Sequence, residues 1–211
     1  MKIGFIGAGH IGSNAARLFV KAGHSVALSN SRGPESLSEL VSELGNNAQA
    51  VSVEEAIEFG DIVFVSIPLG HINEIPTKGF DGKIVIDTNN YYPQRDGNIV
   101  ELDSGETTSS ELLEKRLPGA RIVKAFNTIW FEHLRTQGDT SLPPERRRAI
   151  FVAGDDRQAK DVVAKLIDEI GFAAVDTGSL QEGGKRQQTD SPIYNKDLTA
   201  VEAAKALKVV A

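Results

Sequence analysis

The chain has 211 residues, a formal net charge of −6 and an apolar fraction of 40%. That length suits one large α/β domain, or one domain with a small appendage, and the apolar content is enough for a full core. The acidic balance gives no electrostatic case for nucleic acid or an anionic membrane as a partner, and the absence of cysteine excludes disulfides, thiolate catalysis and thiolate-bound metal. No apolar stretch approaches membrane-spanning length and the first strand begins at Lys2, which predicts no signal peptide and a cytoplasmic protein.

The first strand, Ile3-Gly4-Phe5-Ile6, runs directly into Gly7-Ala8-Gly9-His10-Ile11-Gly12. A dinucleotide pyrophosphate needs backbone N–H groups within hydrogen-bonding distance. Gly7 permits the tight turn, Gly9 removes a side chain that would hold the phosphate away, and Gly12 lets the helix pack closely on the strand. The helix that follows carries Ile11, Ala15, Leu18, Phe19 and Ala22 on one face and stops at Gly23. A second strand, residues 25–30, completes a βαβ unit.

Residues 48–51 read as a short third strand. Ser52 and Glu55 form a capping box that opens a helix ending near Gly60. Residues 61–67 and 83–87 are near-continuous apolar runs, as in strands buried on both faces of a parallel sheet. Thr108 and Glu111 cap a further helix with Leu112, Leu113 and Leu117, ended by Pro118-Gly119. Residues 121–125 are the sixth strand, and 149–153 and 172–175 the seventh and eighth. Between the last two, Ala159, Val162, Val163, Leu166, Ile167 and Ile170 fall at helical spacing, with Gly171 as terminator. Gly178 to Gln188 reads as a polar loop, followed by a turn at Pro192 and a short helix around Asp197 to Lys208. The expected fold is α/β, a doubly wound, mostly parallel sheet. Its division is a dinucleotide-binding domain at 1–178 and a C-terminal loop and helix at 179–211.

The end of the second strand chooses between NAD and NADP, because a carboxylate there binds the ribose 2′-OH and an arginine the 2′-phosphate. This strand ends Asn30-Ser31-Arg32, with no acid before Glu35, which favours NADP(H). A solvated loop arginine is the alternative.

Ligands of such sheets lie beyond the carboxyl ends of the strands, at the switch point in strand order. That nominates Ser66, Ile67 and Pro68, then Asn89 and Asn90, then Asn127 and Thr128. Ile67 and Pro68 suit an apolar wall for the nicotinamide. Asn127 and Thr128 suit hydrogen bonds to its carboxamide or to a second substrate. The asparagines also fit a plain role as turn residues. Of the histidines, His71 can approach the cofactor, His24 reads as structural and His133 as farther out. No metal-ligand spacing or nucleophile–base constellation is present. Asn127, Thr128 and His71 are therefore the catalytic candidates, none with a partner that suggests a relay.

The motifs Ile3 to Gly12, Asn30-Ser31-Arg32, Val65 to Pro68, Val123 to Thr128 and Ala153 to Asp156 together resemble a known family. It is that of the small NADPH-dependent oxidoreductases of a deazaflavin coenzyme, with the related reductase domains of membrane metalloreductases. The segment Asp87 to Pro93 looks like a bacterial dinucleotide-binding branch. The resemblance implies pyrophosphate contacts at Ala8 to Ile11, 2′-phosphate contacts at Ser31 and Arg32, and the nicotinamide beside Ile67 and Pro68. It also implies hydride transfer between NADP(H) and a deazaflavin or flavin-like acceptor. Family enzymes carry a histidine where this chain has Asn127, and a largely helical C-terminal part where it has the polar stretch 181–188. Two alternatives stay open: a carbonyl or imine reductase of the hydroxyacid or pyrroline-carboxylate type, whose larger helical domain the residues after Val175 are too few to build, and an NADPH-sensing module. The expected partners are a small-molecule acceptor and a second copy of the chain, through the C-terminal segment.

Overall fold

The computed structural model describes residues 1–209. Eight strands form one sheet: β1 (Lys2–Ile6), β2 (Ser25–Ser29), β3 (Ala48–Ala50), β4 (Ile62–Val65), β5 (Ile84–Asp87), β6 (Arg121–Ala125), β7 (Ala149–Ala153) and β8 (Ala173–Gly178). Their spatial order is β3-β2-β1-β4-β5-β6-β7-β8, parallel throughout except between β6 and β7. The chain leaves β1 towards one edge and returns to β4 on the other side, so the switch point lies between β1 and β4. In the parallel register Ile6 pairs with Val65, Val65 with Asp87 and Asp87 with Lys124, which aligns the carboxyl ends of four strands in one row.

Among the described residues ten α-helices connect and cover the strands: α1 (His10–Lys21), α2 (Ser38–Leu44), α3 (Val53–Phe59), α4 (Pro93–Asp96), α5 (Val100–Asp103), α6 (Ser109–Arg116), α7 (Phe131–Thr136), α8 (Arg157–Glu169), α9 (Leu180–Arg186) and α10 (Ala200–Val209). The capping boxes at Ser52 and Thr108 are both formed, each with the carboxylate three residues on. Side chains alternate between two cores on opposite faces of the sheet. Phe5, Phe64 and Ile86 join Phe19 and Phe126 on one face, and Val63, Val65 and Val85 join Phe80 and Leu113 on the other. This two-sided burial is the physical source of the continuous apolar runs.

The structure differs from expectation chiefly after β8. Residues 178–188 are not a polar loop but contain helix α9, capped by the Ser179 hydroxyl, which accepts from the Glu182 N–H at 3.0 Å. Gly183 and Gly184 do not loosen this helix; Gly183 lets it approach the sheet, and Gly184 the Thr108 side chain at the start of α6. A Cβ on Gly183 would lie 2.7 Å from Thr177 Oγ1 and 2.8 Å from Ala153 Cβ. Pattern reading treats a glycine pair as a breaker, whereas here the missing side chains are a packing requirement. The last helix begins at Ala200 rather than near Asp197 and packs with Ile193 on Ala149 and Phe151. Residues 210 and 211 of the expected 179–211 segment lie outside the described residues.

Candidate functional site

The three glycines of the opening turn meet three different requirements. Gly7 has φ +99°, and a Cβ there would stand 2.1 Å from the Ser66 carbonyl oxygen. Gly12 would place a Cβ 2.3 Å from the Gly7 carbonyl oxygen. Gly9 has no heavy atom within 4 Å of its would-be Cβ. Two glycines thus close the β1–α1 junction and the middle one leaves open space. Gly9 is also the N-cap of α1 without a side-chain cap, and the first helix bond is Ser13 N–H to Gly9 O at 2.8 Å. The N–H groups ahead of it have no intrahelical carbonyl, and the helix dipole favours an anion there.

A groove of about 600 Å³ runs from this turn past Asn30, Ser31 and Arg32, with Val53, Ser66, Ile67, Pro68, His71 and Ile75 along it. Asn30 organises the loop: its Oδ1 accepts from Arg32 N–H at 2.9 Å and its Nδ2 donates to Ser36 Oγ at 2.8 Å. Ser31 and Arg32 are exposed, and their side chains have no hydrogen-bond partner among the described residues. The acid on the groove, Glu74, is taken up by His71 at 2.7 Å.

The groove continues into an inner crevice of about 520 Å³, the two sharing Gly9, Ser66, Ile67 and Pro68. His10, Ile11, Asn89 and Asn127 line the crevice, so nearly all of the sequence-nominated residues converge on one continuous surface. Asn127 Nδ2 donates to Asn90 Oδ1 at 3.0 Å and to the Gln187 carbonyl at 2.9 Å, while its Oδ1 has no partner. Asn89 is 2% exposed, yet both polar atoms of its amide are unpartnered among the described residues. Unsatisfied buried amides are costly and uncommon, and on a crevice lining they mark where a ligand would pair. Phe126, fully buried at the end of β6, takes φ +64°, a conformation that costs a non-glycine residue of order 1 kcal/mol or more and concentrates at functional sites.

The three catalytic candidates are not brought together. His71 lies on the outer groove, Asn127 on the inner crevice, and Thr128 is buried outside both linings with its carbonyl accepting from Asn195 N–H at 3.0 Å. His24 binds Glu169 at 2.9 Å and the chain's amino terminus at 3.3 Å, and His133 stands 2.9 Å from Asp197.

Sequence reasoning did not identify Tyr92, Arg95, Trp130, Phe131 or Tyr194 as crevice residues. His10 stacks on Phe131 with centroids 4.3 Å apart, Arg95 lies 4.8 Å over the Tyr92 ring, and Trp130 is 48% exposed. The Tyr92 and Tyr194 hydroxyls hydrogen-bond across 102 positions of sequence. Burial, followed by that hydrogen bond, pushes the Tyr194 hydroxyl well above the ordinary phenol range. Among the described residues no carboxylate lines the crevice. Tyr91 and Tyr92 directly after Asn90 were the available signal; Tyr194 carried none.

Residues 2–91 match the family model of NADP oxidoreductase, coenzyme F420-dependent. A hypothetical protein from Sinorhizobium meliloti is 34% identical and superposes with a TM-score of 0.83 over 94% of this chain and 95% of its own. The likeness to that family is thus carried by residues 2–91, and the likeness to the Sinorhizobium protein by nearly the whole chain. The family is one of NADP-dependent oxidoreductases. Metalloreductase STEAP3 of Rattus norvegicus is 29% identical over 181 residues, which are 85% of this chain and 34% of the relative. The chain therefore spans about a third of the length of that relative. A candidate F420-dependent NADP-reductase from Arthrobacter sp. FB24 shares the fold, with a TM-score of 0.70 at 21% identity over 99% of this chain and 91% of that one.

Proposed function

We propose that this chain is an NADPH-dependent reductase that delivers hydride to a planar, flavin-like or deazaflavin acceptor. The observation that carries the reading is the continuity of groove and crevice through Gly9, Ser66, Ile67 and Pro68. One half offers free N–H groups and an unpaired arginine to phosphates. The other offers to rings aromatic surface, the unpartnered Asn89 amide and the free Asn127 Oδ1.

The residues fit the cofactor by their own geometry: open space at Gly9, an orphaned amide at Asn89 and a free Oδ1 at Asn127. NADPH, when bound, supplies the hydride at its nicotinamide ring. Ala8, Gly9, His10 and Ile11 would hold the pyrophosphate at the start of α1. Ser31 and Arg32 would hold the 2′-phosphate, with Asn30 shaping their loop. Ile67 and Pro68 offer an apolar wall, and Asn89 and Asn127 hydrogen bonds to the carboxamide. Tyr92, Trp130, Phe131 and Tyr194 provide stacking surface and exclude water, which a hydride step needs more than a proton relay. The scarcity of acid–base groups on the crevice supports this reading.

We place residues 179–211 in the same proposal, as a wall of the acceptor site (Tyr194 and Asn195 are on the crevice) and as a contact between two copies of the chain in the cytoplasm. The test is stopped-flow mixing of NADPH-loaded protein with flavins, a deazaflavin, ferric chelates, ketones and cyclic imines. Oxidation of NADPH by the flavin-like compounds is the expected result. Oxidation only by ketones or imines replaces the acceptor assignment, and tight NADPH binding without turnover replaces catalysis with sensing.

A further inference from the structure

β5 ends at Asp87, which pairs in register with Lys124, the last residue but one of β6. Their side chains are 0% and 2% exposed. The Lys124 ammonium donates to the Asn89 carbonyl at 2.8 Å and to the hydroxyls of Ser109 and Ser110 at 3.0 and 3.2 Å. Asp87 Oδ2 accepts the Ser110 hydroxyl at 2.5 Å, and its Oδ1 accepts the Asn89 N–H at 2.9 Å. Nζ and Oδ2 themselves stand 3.8 Å apart.

The main chain of Asn89 is thus gripped from both sides, its N–H by Asp87 and its carbonyl by Lys124. Stability alone does not explain the pair. A buried ion pair is commonly no more stabilising than apolar residues of the same volume. Burial drives the Lys124 ammonium below its ordinary value, with Asp87 opposing. What apolar residues could not do is hold the peptide groups of a crevice turn by hydrogen bonds. The residue so held is the one whose own amide is buried and unpartnered at the crevice.

We infer that Lys124 is a positioning residue: with Asp87 it clamps the Asn89 backbone so that the Asn89 amide meets the nicotinamide half of the nucleotide. The inference rests on the NADP reading proposed above. It extends that reading to two buried residues that line neither the groove nor the crevice.

The test uses two nucleotides, NADP⁺ and 2′-phospho-ADP-ribose, which lacks the nicotinamide ring, each titrated by calorimetry. Lys124→Met alone strands a buried carboxylate, so the informative protein is Lys124→Met with Asp87→Asn, which keeps the core neutral and still accepts the Asn89 N–H. Its affinity for NADP⁺ should fall at least about fivefold while that for 2′-phospho-ADP-ribose stays within about twofold. Asn89→Ala should give the same pattern, and adding it to the double variant should cost little more. Equal affinities of wild type and the folded double variant for NADP⁺ overturn the inference, as does a parallel loss for both nucleotides. Wild-type protein that binds neither nucleotide overturns the NADP reading first, and the inference with it.

Discussion

Gly9→Ala should leave the fold intact and weaken nucleotide binding. At Gly9 φ is −72°, a value alanine adopts freely, and nothing stands within 4 Å of the new methyl. Replacing glycine by alanine at a compatible backbone gains about 0.4–1 kcal/mol through the unfolded state. Alanine is a poorer N-cap than glycine by a similar amount. The two offset, so stability should change by less than about 1 kcal/mol, a shift in Tm of at most about 2–4 °C for a chain of this size. The methyl occupies the open space through which a phosphate must approach the N–H groups of α1, so NADP⁺ affinity should fall by more than about tenfold. Gly7→Ala is the control of opposite sign. There φ is +99° and the Cβ would lie 2.1 Å from the Ser66 carbonyl oxygen. Positive φ costs roughly 1–2 kcal/mol and the clash about 1–3 more, which predicts a clear loss of Tm with or without ligand. Thermal melts of both variants, repeated with saturating NADP⁺, read the two effects together. A Gly9→Ala protein that is still shifted upward in Tm by NADP⁺ as much as wild type refutes the reasoning.

Arg32→Ala should weaken NADPH by roughly 10- to 30-fold and NADH by less than about twofold. The lower end of the range for hydrogen bonds to charged groups, about 1.5–2 kcal/mol, applies because Arg32 is exposed. Fluorescence titration at two salt concentrations checks it, since added salt should erode the preference. Asp156 accepts from Arg121 Nε at 2.6 Å and from the Ala159 N–H at 2.9 Å, which holds its carboxyl far below the ordinary value of 3.8. A depressed folded value means that its contribution is present at neutral pH and lost as pH falls below about 4. Asp156→Asn keeps the cap but not the charge, so its Tm should fall less steeply than wild type's between about pH 5 and 2.5. Tyr194→Phe removes the hydroxyl that meets Tyr92, and should change KM for the acceptor while leaving the Kd for NADPH within about twofold, measured by steady-state kinetics and titration.

What could be read in the sequence was what the backbone determines locally. The Gly7–Gly12 turn, the capping boxes at Ser52 and Thr108 and the strand at Arg121 to Ala125 each depend on residues a few positions apart. α9 was missed because Gly183 answers to Thr177 on β8 and Ala153 on β7, and Gly184 to Thr108 ahead of α6, contacts that no local pattern encodes. The short helices α4 and α5 are single turns with little apolar periodicity, so their sequence reads as loop.

The candidate site divides along the same line, for a chemical reason. A pyrophosphate is recognised by main-chain N–H groups, and a segment that presents them must carry glycines at fixed spacing, which leaves a visible string. In the proposed site the nicotinamide and acceptor rings would be met by side chains drawn from separate elements: Asn89 and Tyr92 after β5, Asn127 and Trp130 after β6, Tyr194 beyond α9. Their meeting depends on the register that aligns Asp87 with Lys124 and on the Tyr92–Tyr194 hydroxyl contact. Such a surface can be rebuilt by single substitutions that leave the glycine string intact. Relatives can therefore keep the nucleotide half while differing in acceptor. For this chain, variants at Tyr92, Trp130 and Tyr194 are more informative about the acceptor than any change in Gly7 to Gly12.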